Sequence, residues 1–311
     1  MQSFLSRRTV LKAGAGLVSL PLLARAAHAD ASLDPTQDPT FNRSLVFDEG
    51  FERIDPAIWH AGPKAGTADG GFYGRSAFSR IDGEEGFNPY AIVDDPETEN
   101  GKALRISVKY IGQPMNVPKY YGNNLPEFQW ISGNLQTAQP DGTILKGWRR
   151  GYFEARMRFP AHPLTWPAFW FLNGRSILHP RTSIELDVVE HKGFEPRLYG
   201  AYLHEWGQPG ERHQSSGVPT DVDMTEGYNL YGILLVRNKC VVYFNRKPIR
   251  STFNGEPLVW TMGRSAEMDV KNDVFWAIFT LALRSDYAYP NPLLPEHHLA
   301  HMRVDYFRVY Q

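Results

Sequence analysis

The chain has 311 residues, 42% of them apolar and 22% charged, which is enough to bury a large core in one all-β domain or two ordinary ones. A formal net charge of −1 argues against a nucleic-acid partner and against an anionic membrane surface. The single cysteine, Cys240, excludes an intramolecular disulfide, so packing must hold the domain together even in an oxidising compartment.

The chain opens with Ser6-Arg7-Arg8-Thr9-Val10-Leu11-Lys12, a weakly apolar run AGAGLVSLPLLA, Arg25 and the small-residue pattern Ala27-His28-Ala29. Paired arginines before a modest apolar stretch and an A-x-A site resemble a twin-arginine export signal. The stretch is too short and too rich in glycine and alanine to span a membrane. Cleavage is expected after Ala29, which gives a periplasmic or extracellular protein with no membrane association once the signal is gone. Taking Arg7, Arg8, Lys12 and Arg25 from the 33 basic residues leaves 29 against 34 acids, a net charge of −5. Residues 30–40 (DASLDPTQDPT) are polar and carry prolines, and read as a flexible linker. Residues 41–311 show no break in composition and no internal repeat, and read as one domain.

Within that domain, period-two alternation marks strands. Leu104, Ile106, Val108 and Tyr110 alternate with Arg105, Ser107 and Lys109, and Phe153, Ala155, Met157 and Phe159 alternate with Tyr152, Glu154, Arg156 and Arg158. Further β-rich runs cover 183–190, 198–203, 231–236, 240–245, 275–283 and 302–310, and Asn245-Arg246 sits where a hairpin turn falls. Helical periodicity is scarce. Many strands joined by Gly/Pro-rich connections predict a β-sandwich or jelly roll. Residues 61–90, 112–130 and 205–223 read as long irregular loops, of the kind that wall a binding cleft.

The run 183–190, Ser-Ile-Glu-Leu-Asp-Val-Val-Glu, puts three acids into an apolar strand. Ile184, Leu186 and Val188 fall on one face, Glu185 and Asp187 on the other. Glu190, three steps beyond Asp187, turns toward the core unless a β-bulge near Val188-Val189 absorbs one residue and returns it to the acidic face. So aligned, Glu185 and Glu190 suit a nucleophile and an acid/base of glycoside hydrolysis, with Asp187 between them pushing their titrations apart. Taken alone, the same pattern also fits a solvated strand face or three ligands for a hard cation.

Read in order, Gly151-Tyr152-Phe153-Glu154-Ala155-Arg156, Trp166-Pro167-Ala168-Phe169-Trp170-Phe171-Leu172 and Glu185-Leu186-Asp187-Val188-Val189-Glu190 resemble glycoside hydrolase family 16, the β-glucanases, laminarinases, agarases and carrageenases. Phe47-Asp48-Glu49-Gly50-Phe51, Ser132-Gly133, Tyr231-Gly232-Ile233 and the closing run 302–310 extend the resemblance over almost the whole mature chain. It implies an all-β jelly-roll sandwich of two antiparallel sheets with a concave substrate cleft, and a retaining, endo-acting hydrolase of β-1,3 or mixed β-1,3/1,4 glucan. It implies Glu185 as nucleophile, Asp187 as assisting acid and Glu190 as acid/base. Trp166 and Trp170 fall at its cleft aromatics, each also a candidate for core packing, and His204 and Trp206 fall near its leaving-group side. No cofactor is expected for catalysis, because there is no H-E-x-x-H and no dense histidine cluster. A structural calcium held by Glu49, Gly101 and Asp305 is implied by the resemblance alone. The expected partner is a polysaccharide and the expected state a monomer. A transglycosylase of the same family and a non-catalytic carbohydrate-binding jelly roll are the alternatives. Asn134 stands where many glucan-cutting members carry arginine, which leaves the sugar open.

Overall fold

The computed structural model describes residues 33–62, 72–73, 76–79, 87–115, 128–174, 183–207, 210–263, 274–284, 296 and 298–311. The export signal expected over residues 1–29 and the first residues of the expected linker lie outside these. Residues 33–40 form turns, and they are tied to the domain. Leu33 packs against Tyr152, Leu234, Val241 and Tyr243, and the Tyr243 hydroxyl donates to the Pro35 carbonyl at 3.3 Å.

The strands, in chain order, are β1 (Leu45–Glu49), β2 (His60–Ala61), β3 (Phe72–Tyr73), β4 (Ser76–Phe78), β5 (Tyr90–Asp94), β6 (Lys102–Met115), β7 (Phe128–Ser132), β8 (Asn134–Gln136), β9 (Gly151–Arg158) and β10 (Thr165–Asn173). They continue as β11 (Ile184–His191), β12 (Leu198–Glu205), β13 (Arg212–Pro219), β14 (Asn229–Val236), β15 (Lys239–Phe244), β16 (Lys247–Pro248), β17 (Trp260–Thr261), β18 (Phe275–Leu283) and β19 (Leu299–Tyr310). Twelve strands form one sheet, in the order β16-β15-β14-β9-β19-β6-β7-β4-β3, with β1 beside β19, β17 beside β15 and β5 beside β6. The other sheet runs β13-β12-β11-β10-β18-β8-β2. The pairings are antiparallel apart from β4 with β7.

Alternation explains why the sheets face each other. Phe153 and Ala155 of β9, Phe169 and Phe171 of β10, Phe279 of β18 and Phe307 of β19 are all buried in one apolar cluster. Phe169 and Phe279 stack at 4.9 Å, and Phe171 meets Phe153 at 5.1 Å. The predicted hairpin turn at Asn245-Arg246 is present between β15 and β16. Both residues are left-handed, at φ 48° and 59°, as a two-residue turn of the primed type requires.

One expectation changes. The stretch 205–223 is not one continuous irregular loop, because Arg212–Pro219 within it forms β13, paired residue for residue with β12 from Leu198↔Pro219 to Glu205↔Arg212. Its sequence, RHQSSGVP, carries little apolar signal because it lies at a sheet edge and most of its side chains are not buried. The Trp-Pro segment is itself a central strand, β10. Pro167 is tolerated there because β10 pairs with β11 only from Ala168 onward, so no ladder donor toward β11 is lost. The other long stretches, 61–90 and 112–130, fall partly outside the described residues.

Candidate active site

The seven-stranded sheet carries the acids on the face turned away from the core. Along β11, Ile184, Leu186, Val188 and Val189 are all fully buried in the core cluster, two consecutive valines included. That is the signature of a bulge. The register shifts between Asp187 and Glu190 against β12, and between Phe169 and Trp170 against β10. The extra residue brings Glu185, Asp187 and Glu190 to one cleft, which Trp166, Ala168, Trp170, Thr280 and Ala282 also line.

Neighbouring strands supply a partner for each acid. On β12 and the residue just after it, Tyr202, His204 and Trp206 recur with period two and stack in a column. Tyr202 and His204 lie 5.5 Å apart at 11°, and His204 and Trp206 lie 5.0 Å apart at 26°. Because the rings spend their faces on one another, their polar edges are left for β11. The Trp206 indole N–H donates to Glu185 Oε2 at 2.9 Å, and His204 Nε2 lies 3.4 Å from Asp187 Oδ2. Tyr202 is directly opposite Asp187, and the charges of Glu190 and Asp187 add to the burial that raises its phenol. Glycine at 200, opposite Glu190, makes room for this, since a Cβ there would come within 2.3 Å of the Tyr202 hydroxyl. From β10, Trp166 donates to the Glu190 carboxylate.

For Asp187 and Glu190 the electrostatics follow chiefly from burial. Glu190 is pushed up to about 7, first by burial and then by the charge of Glu185, with Lys192 and the Trp166 hydrogen bond pulling weakly the other way. Asp187, 2% exposed, is held well above the usual carboxylate range by burial and by both glutamates. This revises the expected division of labour. The charge that lifts Glu190 is that of Glu185, while Asp187, the most buried of the three, is the one most strongly driven to neutrality. His204 is pushed down to about 4 by burial and by His213, and is therefore neutral at ordinary pH.

The tryptophans divide. Trp166 is half-buried at the cleft, whereas Trp170 is largely buried and touches the cleft from an apolar cluster with Leu172, Trp276 and Ile278. A hydrogen-bond chain fixes Trp170. Its indole donates to Thr280 Oγ1 at 2.9 Å, Thr280 donates to Asn134 Oδ1 at 2.6 Å, and Asn134 Nδ2 donates to the Gly62 carbonyl at 2.9 Å. Asn134 is thus committed to holding Thr280, which lines the cleft, and is itself fully buried. Tyr202 and Thr280 were not singled out from the sequence. The Tyr-x-His-x-Trp alternation on β12 was the available signal for the first. Nothing local marks the second.

Glu185, Asp187 and His204 each bring an atom within 4.8 Å of the others, the one such gathering of potential metal ligands among the described residues. Two carboxylates and an imidazole fall short of the six to eight oxygens a hard cation takes, and the indole and imidazole edges fit a hydrogen-bonded acid cluster better. The residues implied for calcium lie elsewhere. Glu49 and Asp305 line one pocket together with Glu99 and Asn100. Glu49 accepts from Trp59 Nε1 and the Phe51 N–H, Asp305 is paired with Arg156 at 2.5 Å, and the Gly101 carbonyl accepts from the Asp95 N–H.

No protein-family model matches the chain. A β-glucanase of Rhodothermus marinus is 30% identical over 178 residues, a match covering 53% of this chain and 58% of that relative. The catalytic domain of an endo-1,3-β-glucanase (laminarinase) from Thermotoga petrophila superposes with a TM-score of 0.59 at 23% identity, covering 87% of this chain and 98% of that one. A Bacteroides ovatus mixed-linkage-glucan family 16 enzyme, solved with a G4G4G3G product, superposes with a TM-score of 0.61 at 15% identity, covering 85% and 99%. At these identities the likeness establishes the architecture, and the chain is an all-β jelly roll of two packed sheets, built as those enzymes are built.

Proposed function

We propose that this chain is a retaining, endo-acting glycoside hydrolase of family 16 that cuts β-1,3 or mixed β-1,3/1,4 glucan. The observation that carries this reading is the bulged strand β11, which turns Glu185 and Glu190 into one cleft and leaves Glu190 protonated up to about pH 7. A catalytic acid has to hold a proton at working pH and release it readily, and a carboxyl raised to that value does both. The named activities of the similar proteins support the substrate class.

In this reading Glu185, oriented by the Trp206 N–H, attacks the anomeric carbon while Glu190 gives its proton to the departing oxygen. Water then enters. Glu190, now a base, takes its proton, and the sugar leaves with its β configuration kept. Burying Asp187 between two partly buried glutamates is costly, which a purely carbohydrate-binding surface would have no reason to bear. The calcium implied by the resemblance is kept as a structural proposal at Glu49, Gly101 and Asp305, and no step passes through it.

Proton NMR of fresh digests of laminarin and lichenan tests the mechanism, with the β anomer expected first. Azide added to Glu185→Ala with an activated β-glycoside should give an α-glycosyl azide, and added to Glu190→Ala a β-glycosyl azide. An α anomer appearing first would overturn retention, and the reverse azide products would exchange the two roles.

A further inference from the structure

The ring column of β12 does not end at the cleft. Strand β13 places His213 directly opposite His204, and the two Nδ1 atoms lie 2.7 Å apart. His213 also meets the edge of Trp206 at 5.1 Å, and its Nε2 lies 3.7 Å from Glu211 Oε2 at the surface. An unbroken series of polar groups therefore runs from buried Asp187 through His204 and His213 to Glu211.

A contact of 2.7 Å between two ring nitrogens requires one donor and one acceptor, because two lone pairs or two protons would repel at that distance. A neutral imidazole carries one N–H. Whichever nitrogen of His204 is engaged by His213 therefore settles what the other presents to Asp187. Asp187 Oδ2 is buried and has no hydrogen-bond partner in the free protein beyond its long contact with His204 Nε2. A carboxyl confined between two glutamates keeps its proton, and a buried O–H needs an acceptor.

We propose that His213 is a positioning residue of the hydrolytic site, accepting the His204 Nδ1 proton and so leaving His204 Nε2 as the acceptor that holds Asp187 Oδ2. All donors then run one way, from the Asp187 O–H to His204 Nε2, from His204 Nδ1–H to His213 Nδ1, and from His213 Nε2–H toward Glu211. The arrangement keeps Asp187 neutral between the two glutamates, so Glu185 can stay ionised as the nucleophile. The opposite tautomer would present an N–H to Asp187, draw out its proton and place a second negative charge beside Glu185. The catalytic consequence rests on the functional reading above, while the tautomer assignment does not.

The test uses the full chain with His213→Phe, which keeps a ring but removes Nδ1, and His213→Asn, whose amide can accept near the same point. Nitrogen-15 spectra of the His204 ring should show Nδ1–H in the wild type and in His213→Asn, and a shift toward Nε2–H in His213→Phe. On laminarin, His213→Phe should lose about tenfold in kcat with KM nearly unchanged, and His213→Asn should recover most of it. Nε2–H in the wild type, a His204 tautomer indifferent to His213→Phe, or an Asn variant as slow as the Phe variant would each overturn the proposal. So would a rise in KM with kcat intact, which would make His213 a sugar contact. If the wild type cleaves no β-glucan, the functional reading fails, and the spectra still decide the tautomer.

Discussion

Acids are placed in two opposite ways in this molecule. On the twelve-stranded sheet they meet arginines. Asp95 pairs with Arg303 at 2.6 Å, Glu154 takes Arg246 through both oxygens at 2.8 and 2.9 Å, and Arg308 bridges Asp48 and Glu99. On the cleft face of the seven-stranded sheet, Asp187 and Glu190 are set among indole N–H groups, a phenol and a neutral imidazole. The outcomes diverge accordingly. Hydrogen bonds from Arg308 hold Glu99 below its usual range. Asp95 is also held low, because Tyr228 and Arg303 outweigh its burial. Asp187 and Glu190 rise instead. Asp305 adds a qualification. Even with hydrogen bonds from Arg156 and the Glu99 N–H, burial lifts it above the ordinary value, so a paired cation does not always offset desolvation. Pairing buys stability, and withholding it yields a carboxyl that can give up a proton near neutral pH.

The largest expected effect breaks the comparison cleanly. Glu185→Ala and Glu190→Ala should each lower turnover by roughly 10³-fold or more without loss of melting temperature, since they relieve a crowded, desolvated site. Glu154→Ala should do the reverse. It strands Arg246 and the hydroxyls of Tyr152 and Tyr306, all of which donate to Glu154, and should cost about 3 kcal/mol in denaturant unfolding while the folded fraction keeps its turnover. Equal losses of stability in the two sets would remove the distinction between the regions.

The next effect is one of pH. The folded-state pKa of Glu190 lies at about 7, above its ordinary value of 4.5. The unfolded chain therefore releases this proton first, and the folded state loses stability as pH rises from about 4.5 to about 7, by up to roughly 3 kcal/mol in all. Glu190→Gln, neutral throughout, should melt like the wild type at pH 4.5 and higher than it at pH 8. Wild-type kcat/KM should fall as pH rises through about 7, because the acid is then ionised. A Glu190→Gln melting curve parallel to the wild type at both pH values would show that Glu190 is not raised.

The smallest effect tests whether arginine alone balances the acidic pocket around Glu49 and Asp305. Chelator should lower the melting temperature by a few degrees, equivalent to about 1 kcal/mol, and leave the activity of folded enzyme unchanged. Melting indifferent to both chelator and added calcium would leave the balance to arginines such as Arg53, Arg156 and Arg308.

Much of the site was legible because it is local to one strand. Three acids spaced two and then three residues apart cannot share a face of a regular strand, so counting alone named a bulge near Val188-Val189 as the condition for bringing them together, and the register shift there meets it. Asn245-Arg246 was legible for a similar reason, as two turn-forming residues between two apolar runs.

The sequence by itself determined the alternation of β6, β9 and the first part of β11, the identity of the three acids and the need for a break to align them, since each depends on side-chain period within a strand. Only the tertiary structure decided what each acid faces. That depends on register between strands far apart in the chain, with Trp166 arriving from β10 and Trp206, His204 and Tyr202 from β12. It also decided that Trp170 leans on Thr280 and Asn134, 110 and 36 residues away in the chain, and that an unremarkable polar stretch would become β13 and bring His213 against His204. Period is written along one strand, whereas burial, and with it the protonation of an acid, is set by what the neighbouring strands bring.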